Sequence, residues 1–547
     1  MKRDLNNIAN QNLDVLIIGG GIHGAAIARE TALAGLKTAL IEKKDFSHAT
    51  SGNSLKIIHG GLRYLQHLDV RRMRESVKAR KEMMRVGPHL VKPLGCVMPL
   101  YGGGIRGKEV MRTALFLNDM ISYDRNHSLD ACQHLLPGKI LSKEQCLRYV
   151  LGLDQHGLRG GCLWYDALAI NTERLTLSFI HEAVDQGASI ANYLRAIDFI
   201  IHNNHITGVK AHDTITGEQC EIKAKVVVNA TGPWLEKNLQ LSAIRYKNKQ
   251  NYAKAVNIIV KKSLFKDHAV ALEGKEKRFY FFVPWRGYTM IGTSYKPYHG
   301  DPDRFGIEIN DIMELVNKAN TLYPPANLTI KDVTFFHAGI LPMKECSEKN
   351  GFGIQLEKSS QVVDHGQKNG IKWLISVKGV KYTTAPQTAK KVIKLILCRL
   401  NKAGKCKTFL NQQGYAAKDE IVDQSDLSGL DGNDESAIVQ HFKSIYGQRY
   451  NKILEYIVKD NSISRISEEP PLTVAEIIYF IREEMALKLS DIVFRRSDLG
   501  TAECPPLVIL QNMADVMAEE LSWDQNQKAE EIKNVITHYL PLTVRTG

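Results

Sequence analysis

Asp14-Val15-Leu16-Ile17-Ile18 runs directly into Gly19-Gly20-Gly21-Ile22-His23-Gly24, a helix-forming run continues to Leu33, and Lys37-Thr38-Ala39-Leu40-Ile41 ends in Glu42. The order is strand, glycine turn, helix, strand, acid. It matches G-x-G-x-x-G with an acid 18 positions after Gly24, the pattern of a dinucleotide-binding βαβ unit. Each part has a physical role. Gly19 permits the tight turn, Gly21 lets backbone approach a pyrophosphate, and Gly24 lets the helix pack close to the strand. The helix N-terminus offers unpaired N–H groups and partial positive charge to the pyrophosphate. Glu42 is placed to accept from a ribose hydroxyl. An ordinary glycine turn would share the glycines, but not the flanking strands and the acid at this distance.

The chain has 547 residues, too many for one core and enough for roughly three to four domains. Its nine cysteines form no C-x-x-C pair. They read as scattered reduced thiols of a cytoplasmic protein, and no metal site is expected. Residues 1–11 are polar and lack the apolar core of a signal peptide. No run of about 18 uncharged apolar residues occurs, the least that a spanning helix needs.

The net charge of +13 is compatible with nucleic acid, anionic lipid or acidic substrates. No helix-turn-helix, RNP or zinc-finger signature supports nucleic acid, which is not expected as a partner. Basic residues are dense from Arg63 to Lys92, and Val70, Met73, Val77 and Met84 recur among them at roughly helical spacing. Two readings stand: a solvated helix with one face on the core, or a basic amphipathic surface that meets anionic headgroups. The second would put a cytoplasmic protein peripherally on the inner face of the cytoplasmic membrane.

Beyond the first unit, a glycine-, serine- and histidine-rich loop covers Ser47 to Gly61. Residues 105–150 read as helices and loops, and Leu168 to Gln186 as an amphipathic helix. Ala188 to Leu194 reads as a strand. Ile197–Ile201, Ile206–His212 and Gln219–Ile222 read as a small meander. A buried β-branched strand, Lys225 to Asn229, ends in the small-residue turn Ala230-Thr231-Gly232, where a chain can pass close under a cofactor. Val256–Val260, Arg278–Pro284 and Tyr288–Thr293 alternate as antiparallel strands, and such an insert usually carries substrate contacts. A third strand-turn-helix runs from Trp373 through Gly379-Val380-Lys381-Tyr382-Thr383-Thr384 to Leu400, with Pro386 suited to a helix start. Glu435 to Leu540 is almost wholly helical in pattern, broken at Glu469-Pro470-Pro471 and Cys504-Pro505-Pro506.

The fold class expected is α/β: a Rossmann-like FAD-binding domain of the glutathione-reductase type, an inserted antiparallel sheet and a C-terminal all-helical domain. Residues 1–95, 160–250 and 330–410 are assigned to the discontinuous cofactor domain, and 96–159 and 251–329 to a substrate or cap domain. A linker is assigned to 401–434 and the helical domain to 435–547.

FAD rather than a nicotinamide enters through a resemblance. The stretch Asp45-Phe46-Ser47-His48-Ala49-Thr50-Ser51-Gly52-Asn53-Ser54-Leu55-Lys56, continuing through His59-Gly60-Gly61-Leu62-Arg63-Tyr64, closely resembles the FAD-dependent glycerol-3-phosphate dehydrogenases of the D-amino-acid-oxidase superfamily. So do Trp164-Tyr165-Asp166-Ala167, Asn229-Ala230-Thr231-Gly232-Pro233-Trp234, Val283-Pro284-Trp285, Ile291-Gly292-Thr293 and the turn Gly379 to Thr384. The tail, with Ile481 to Ala486 and Asp491 to Arg496, is similar to that family's C-terminal domain.

The resemblance implies roles for individual residues. Gly19, Gly21, Gly24 and Glu42 would hold the ADP half of FAD. Thr50, Ser51, Ser54 and Lys56 would line its pyrophosphate and flavin side. Ala230, Thr231 and Gly232 would pass beside it, and Gly379, Lys381, Tyr382 and Thr383 would sit at the flavin ring. Arg63, Tyr64 and Lys381 match substrate contacts, and Lys358 matches a phosphate-holding arginine. His59 suits a general base because an imidazole titrates near neutrality; the competing reading is a histidine that only packs under the flavin. Arg63 could equally be a surface ion pair.

Two positions depart from the family. A substrate-side arginine is Leu341, in Ala338-Gly339-Ile340-Leu341-Pro342-Met343, and a histidine is Asn257. Lys344 lies three positions after Leu341. Losing a guanidinium from an anion pocket costs roughly 2–5 kcal/mol if nothing replaces it. Three readings therefore remain. The leading one oxidises glycerol 3-phosphate to dihydroxyacetone phosphate and passes electrons to quinone or another acceptor. The others are the same fold acting on a different polyol phosphate, 2-hydroxy acid or amine, and a non-catalytic flavin-binding protein. A homo-oligomer is compatible with each.

Overall fold

The computed structural model describes residues 1–102, 107–242, 250–344, 354–368, 370–402, 432–460 and 464–539. A short helix α1 (Leu5–Asn10) leads into β1 (Leu13–Ile18), α2 (Ile22–Leu33) and β2 (Thr38–Ile41). Every residue of β1 is buried, as an unbroken apolar run must be when both faces of a parallel strand are covered, here by helices on one face and chiefly by the 194–213 hairpin on the other. A Cβ on Gly24 would lie 1.8 Å from the Gly19 carbonyl oxygen. No side chain fits there, so helix and strand pack as closely as the fingerprint predicts.

The chain then gives β3 (Ile57–Ile58), α3 (Val70–Val86), β4 (Val91–Tyr101), α4 (Lys108–Ile121), β5 (Lys139–Leu141), α5 (Lys143–Tyr149) and β6 (Leu158–Ala169). Next come α6 (Thr172–Asp185), β7 (Ser189–Ala191), β8 (Leu194–His202), β9 (His205–Asp213) and β10 (Gln219–Asn229). They are followed by β11 (Asn251–Val260), β12 (His268–Glu273), β13 (Phe279–Trp285), β14 (Tyr288–Tyr298), β15 (Val333–Met343), β16 (Gln361–Asp364) and β17 (Leu374–Lys378).

Two large sheets result. The first runs β16-β17-β10-β1-β2-β7, parallel from β17 to β7. The hairpin β8–β9 continues from the first half of β10. α2 packs against α6 and the helix Ala385–Arg399 on one face of this sheet. The second sheet runs β15-β11-β14-β13-β12-β4-β6-β3, with β5 on β6.

Several sequence expectations need correction. The boundaries at 95, 160 and 330 cut through the second sheet, because β3, most of β6 and all of β15 pair there. Long-range hydrogen bonding decides this and leaves no local trace. α6 starts at Thr172, not near Leu168: Leu168 still pairs in β4–β6, and the Asn171 side chain accepts the Arg174 N–H at 2.8 Å as a cap. The strand expected through Leu194 breaks after Ala191, where Tyr193 adopts a positive φ of 55°. The region 105–150 also contains β5. The break at Glu469 to Pro471 separates a small two-stranded sheet, Arg465–Ser467 with Leu472–Thr473, in an otherwise helical domain. The linker expected at 401–434 lies mostly outside the described residues.

On α3 the core reading holds for Met73, Val77 and Met84, which are buried together with Met83, whereas Val70 at the start of the helix is exposed. Arg80 is buried too.

The C-terminal domain is fastened to the first domain by buried charge. Arg174 of α6 meets Glu484 with two bonds of 2.9 Å, and His181 reaches the same carboxylate at 3.0 Å. Burial alone would raise the Glu484 carboxyl, but Arg174 and His181 hold it well below its ordinary range.

Candidate functional site

A cleft of about 1400 Å³ lies between the two sheets. One end is the glycine turn. Gly19 has φ 111°, and a Cβ there would sit 2.7 Å from the Ala230 carbonyl oxygen. A Cβ on Gly21 would sit 3.0 Å from Ser51 Oγ. α2 has no side-chain cap from its own N-terminal residue. Ser51 Oγ instead accepts the Ile22 N–H at 3.0 Å. An open helix N-terminus, walled by glycines and a hydroxyl, fits a pyrophosphate.

Glu42 borders the cleft and is already held. Its two oxygens accept the Gly20 N–H at 2.7 Å and the Lys44 N–H at 2.9 Å. The carboxylate keeps further lone pairs for a ribose. Thr50 donates to the Ile340 carbonyl at 3.1 Å, which ties the loop to β15. Ser54 Oγ accepts the Lys56 N–H at 3.1 Å. Ala230, Thr231 and Gly232 line the cleft, the Ala230 N–H being held by the Ile18 carbonyl at 2.9 Å. At the far turn, a Cβ on Gly379 would strike the His23 ring at 2.6 Å. Burial pushes the His23 imidazole down to about 4, so it is neutral beside the cradle.

Three expected contacts are spent elsewhere. The Lys56 ammonium is buried against Glu173 at 2.9 Å and Thr172 at 3.0 Å. The Tyr382 hydroxyl donates to the Thr172 carbonyl at 2.8 Å. Asn257 Oδ1 accepts the Thr293 hydroxyl at 2.7 Å, its amide 3.4 Å from the His337 carbonyl. Each borders the cleft, but as a brace for its wall. Thr383 is buried on the same wall, and Gly24 lies behind the cradle.

The other end of the cleft gathers the cations. Lys381 Nζ donates to the Tyr64 hydroxyl, and the ammonium stands 4.5 Å from the centre of that ring. Arg63 and Lys358 border the same space and are exposed, with no ion pair among the described residues. His59 Nδ1 faces Asp166 Oδ2 at 3.3 Å, and its ring packs edge-on to Phe281.

Asp166 is a site residue that sequence reasoning missed. Besides His59 it accepts the Gly60 N–H at 2.5 Å, Arg80 at 2.6 Å and the Trp164 indole at 3.2 Å. Burial would raise its carboxyl, yet the His59 bond and the Arg80 charge bring it to about 2. It is a permanent carboxylate behind the histidine. The motif Trp164-Tyr165-Asp166-Ala167 marked the stretch, but a contact across 107 residues has no local signature. Arg278 and Tyr295, also on the cleft wall, were missed as well.

A cradle that admits a pyrophosphate only because side chains are absent, continuous with a cation-lined chamber, defines a dinucleotide-dependent oxidoreductase. Residues 14–395 match the FAD dependent oxidoreductase family, and residues 412–528 match the C-terminal domain of alpha-glycerophosphate oxidase. A glycerol-3-phosphate dehydrogenase of Synechocystis sp. is 30% identical over 552 residues, 97% of each chain. The aerobic glycerol-3-phosphate dehydrogenase of Staphylococcus haemolyticus is 28% identical over 510 residues, 90% of this chain and 87% of the relative. The fold of the glycerol-3-phosphate dehydrogenase from Bacillus halodurans, solved with FAD, is similar at a TM-score of 0.72 and 22% identity, covering 98% of this chain and 96% of that one. The chain belongs to the FAD-dependent glycerol-3-phosphate dehydrogenase family, and its cofactor is FAD.

Proposed function

We propose that the protein oxidises sn-glycerol 3-phosphate to dihydroxyacetone phosphate. The observation that carries this is the chamber itself: an ammonium–phenol pair, Lys381 with Tyr64, beside exposed Arg63 and Lys358. Convergent cations suit a phosphate monoester, and a polarised donor pair suits a hydroxyl about to become a carbonyl.

When bound, FAD supplies the two-electron sink for the carbon-bound hydrogen. Gly19, Gly21, Ser51 and Glu42 would hold its ADP half, and the Gly379 to Thr383 turn would border its ring end. Lys381 and Tyr64 orient the secondary hydroxyl and stabilise negative charge that develops on its oxygen. His59 accepts the hydroxyl proton. Asp166, fixed as an anion by Arg80 and Gly60, sets the imidazole tautomer and steadies the imidazolium that forms. Arg63 and Lys358 hold the phosphate.

Electrons then leave to quinone or another acceptor, which fits peripheral contact with a bilayer. The surface suited to that contact is not the stripe of α3 from Met73 to Met84, which is core. It is α4, which exposes Val110, Phe116 and Met120, next to Leu68, which is 78% exposed, and Val70. α4 packs on α3 and on the 3-10 turn Leu62–His67, and exposed Arg71 and Arg112 flank this surface. No described helix is long and apolar enough to cross a membrane.

Anaerobic flavin bleaching tests the substrate. Glycerol 3-phosphate should bleach the yellow enzyme, and glycerol, a 2-hydroxy acid and a D-amino acid should not. Bleaching by another of these compounds, with none by glycerol 3-phosphate, would transfer the enzyme to the alternative reading.

A further inference from the structure

Leu341 borders the cleft and carries no charge to meet an anion. Its strand is the edge of the second sheet, followed inward by β11, β14 and β13. Arg278, immediately before β13, also borders the cleft. Its guanidinium stands 4.8 Å over the Tyr295 ring, and Nη2 donates to the Ile354 carbonyl at 2.9 Å. It has no carboxylate partner among the described residues. The nearby Glu276 is taken by Tyr280 at 2.7 Å and by Lys318 at 3.0 Å. Burial raises the Tyr295 phenol, while the Thr293 hydroxyl and the charges of Arg278 and Arg63 oppose that rise. Both guanidinium charges therefore act on one point of the wall.

An arginine stacked on an aromatic ring, with one nitrogen anchored to backbone, is preorganised. It loses little freedom when its remaining N–H groups meet an anion, and a fork suits phosphate geometry better than a point charge. We propose that Arg278, stacked on Tyr295, clamps the phosphate end of the substrate together with Arg63, supplying from its place before β13, on the same cleft, the guanidinium that Leu341 does not. The inference rests on the reading of the chamber as a polyol phosphate site. It makes Arg278 a specificity residue: it binds the anion and leaves the reacting carbon alone.

The test compares flavin reduction by glycerol 3-phosphate and by glycerol in the wild type, Arg278→Leu, Arg278→Lys and the double variant R278L/L341R, all as FAD-loaded enzyme. For glycerol 3-phosphate, Arg278→Leu should raise the half-saturating concentration roughly 10- to 100-fold, with a much smaller change in the saturated rate. Reduction by glycerol at high concentration should change little. Arg278→Lys should fall between wild type and Leu, and returning a guanidinium at 341 should recover part of the affinity. If Arg278→Leu does not retain FAD, Arg278→Lys reads the same quantity. Unchanged half-saturation in a variant that holds FAD, or an equal loss for both compounds, overturns the proposal. Wild-type enzyme that glycerol 3-phosphate does not reduce overturns the substrate reading, and the phosphate clamp with it. Wild-type reduction with unaffected variants overturns the clamp alone.

Discussion

Arg496 closes on Asp45 with two bonds, Nη1 to Oδ2 at 2.7 Å and Nη2 to Oδ1 at 2.8 Å, and both side chains are fully buried. The pair joins residues 451 positions apart. Asp45 lies three residues past Glu42, so the C-terminal domain grips the loop that shapes the cofactor cradle. Arg495 reaches Asp45 as well, at 2.5 Å. The Asp45 carboxyl, which burial would raise, is held low by the two guanidinium charges.

Asp45→Ala should leave both guanidinium groups without this partner. Removing one member of a buried pair typically costs about 3–5 kcal/mol. Thermal unfolding should show a large drop, and the purified variant should hold less flavin. A wild-type melting temperature would mean that the contact carries no net stability.

Gly24→Ala should abolish flavin binding. The new methyl would meet backbone at 1.8 Å, and neither helix nor strand can yield without opening the cradle. The ratio of flavin to protein absorbance measures this directly. A variant that purifies yellow at full stoichiometry would contradict the packing argument.

Lys381→Met and Tyr64→Phe should keep the flavin and lose rate. Each removes half of a donor pair at the reacting hydroxyl, and groups of this kind contribute about 10²–10⁴-fold. Rapid-mixing reduction by glycerol 3-phosphate separates chemistry from later electron transfer. Little change in either variant would remove the pair from the mechanism.

Stability should fall as pH drops from about 6.5 toward 4. Burial pushes His23, His89, His181 and His538 each down to about 4 from an ordinary value of 6.5. Within that window the unfolded chain binds protons that the folded chain refuses. The stabilisation is complete above 6.5 and diminishes as pH falls. Each such proton contributes a slope of about 1.4 kcal/mol per pH unit. Glu484, whose folded carboxyl lies below its ordinary 4.5, adds a loss in the same direction at still lower pH. Urea midpoints at pH 7, 6 and 5 should decline in order, and a flat series would refute the assignment.

Vesicles carrying anionic lipid should retain the enzyme at low salt and release it as salt rises, because the Debye length shrinks. Phe116→Asp with Met120→Asp should abolish retention without changing flavin content, since both side chains are more than half exposed, at 63% and 56%. Retention by neutral vesicles alone, or by the variant, would place the contact elsewhere.

The cofactor end was legible in the chain because its determinants are local. A glycine turn needs its glycines in sequence order, and a strand buried on both faces needs an unbroken apolar run. From Asp14 to Glu42 the spacing therefore states the geometry directly. The same holds for the turn at Ala230 and for the helix that starts near Pro386. The substrate end is different. His59 and Asp166 lie on separate elements, as do Lys381 and Tyr64, and Arg278 and Tyr295. The second sheet is assembled from strands as distant as β3 and β15, so no window of sequence contains it. Lys56 and Asn257 show the limit from the other side. Their types fit an anion or substrate contact, yet burial beside Glu173 and Thr293 turns them into braces. The sequence by itself determined which dinucleotide unit would form, because hydrogen bonding and sterics within a few residues suffice for it. Only tertiary packing decided which charges meet in the chamber, because an ion's role depends on the partners and the dielectric that distant strands bring to it.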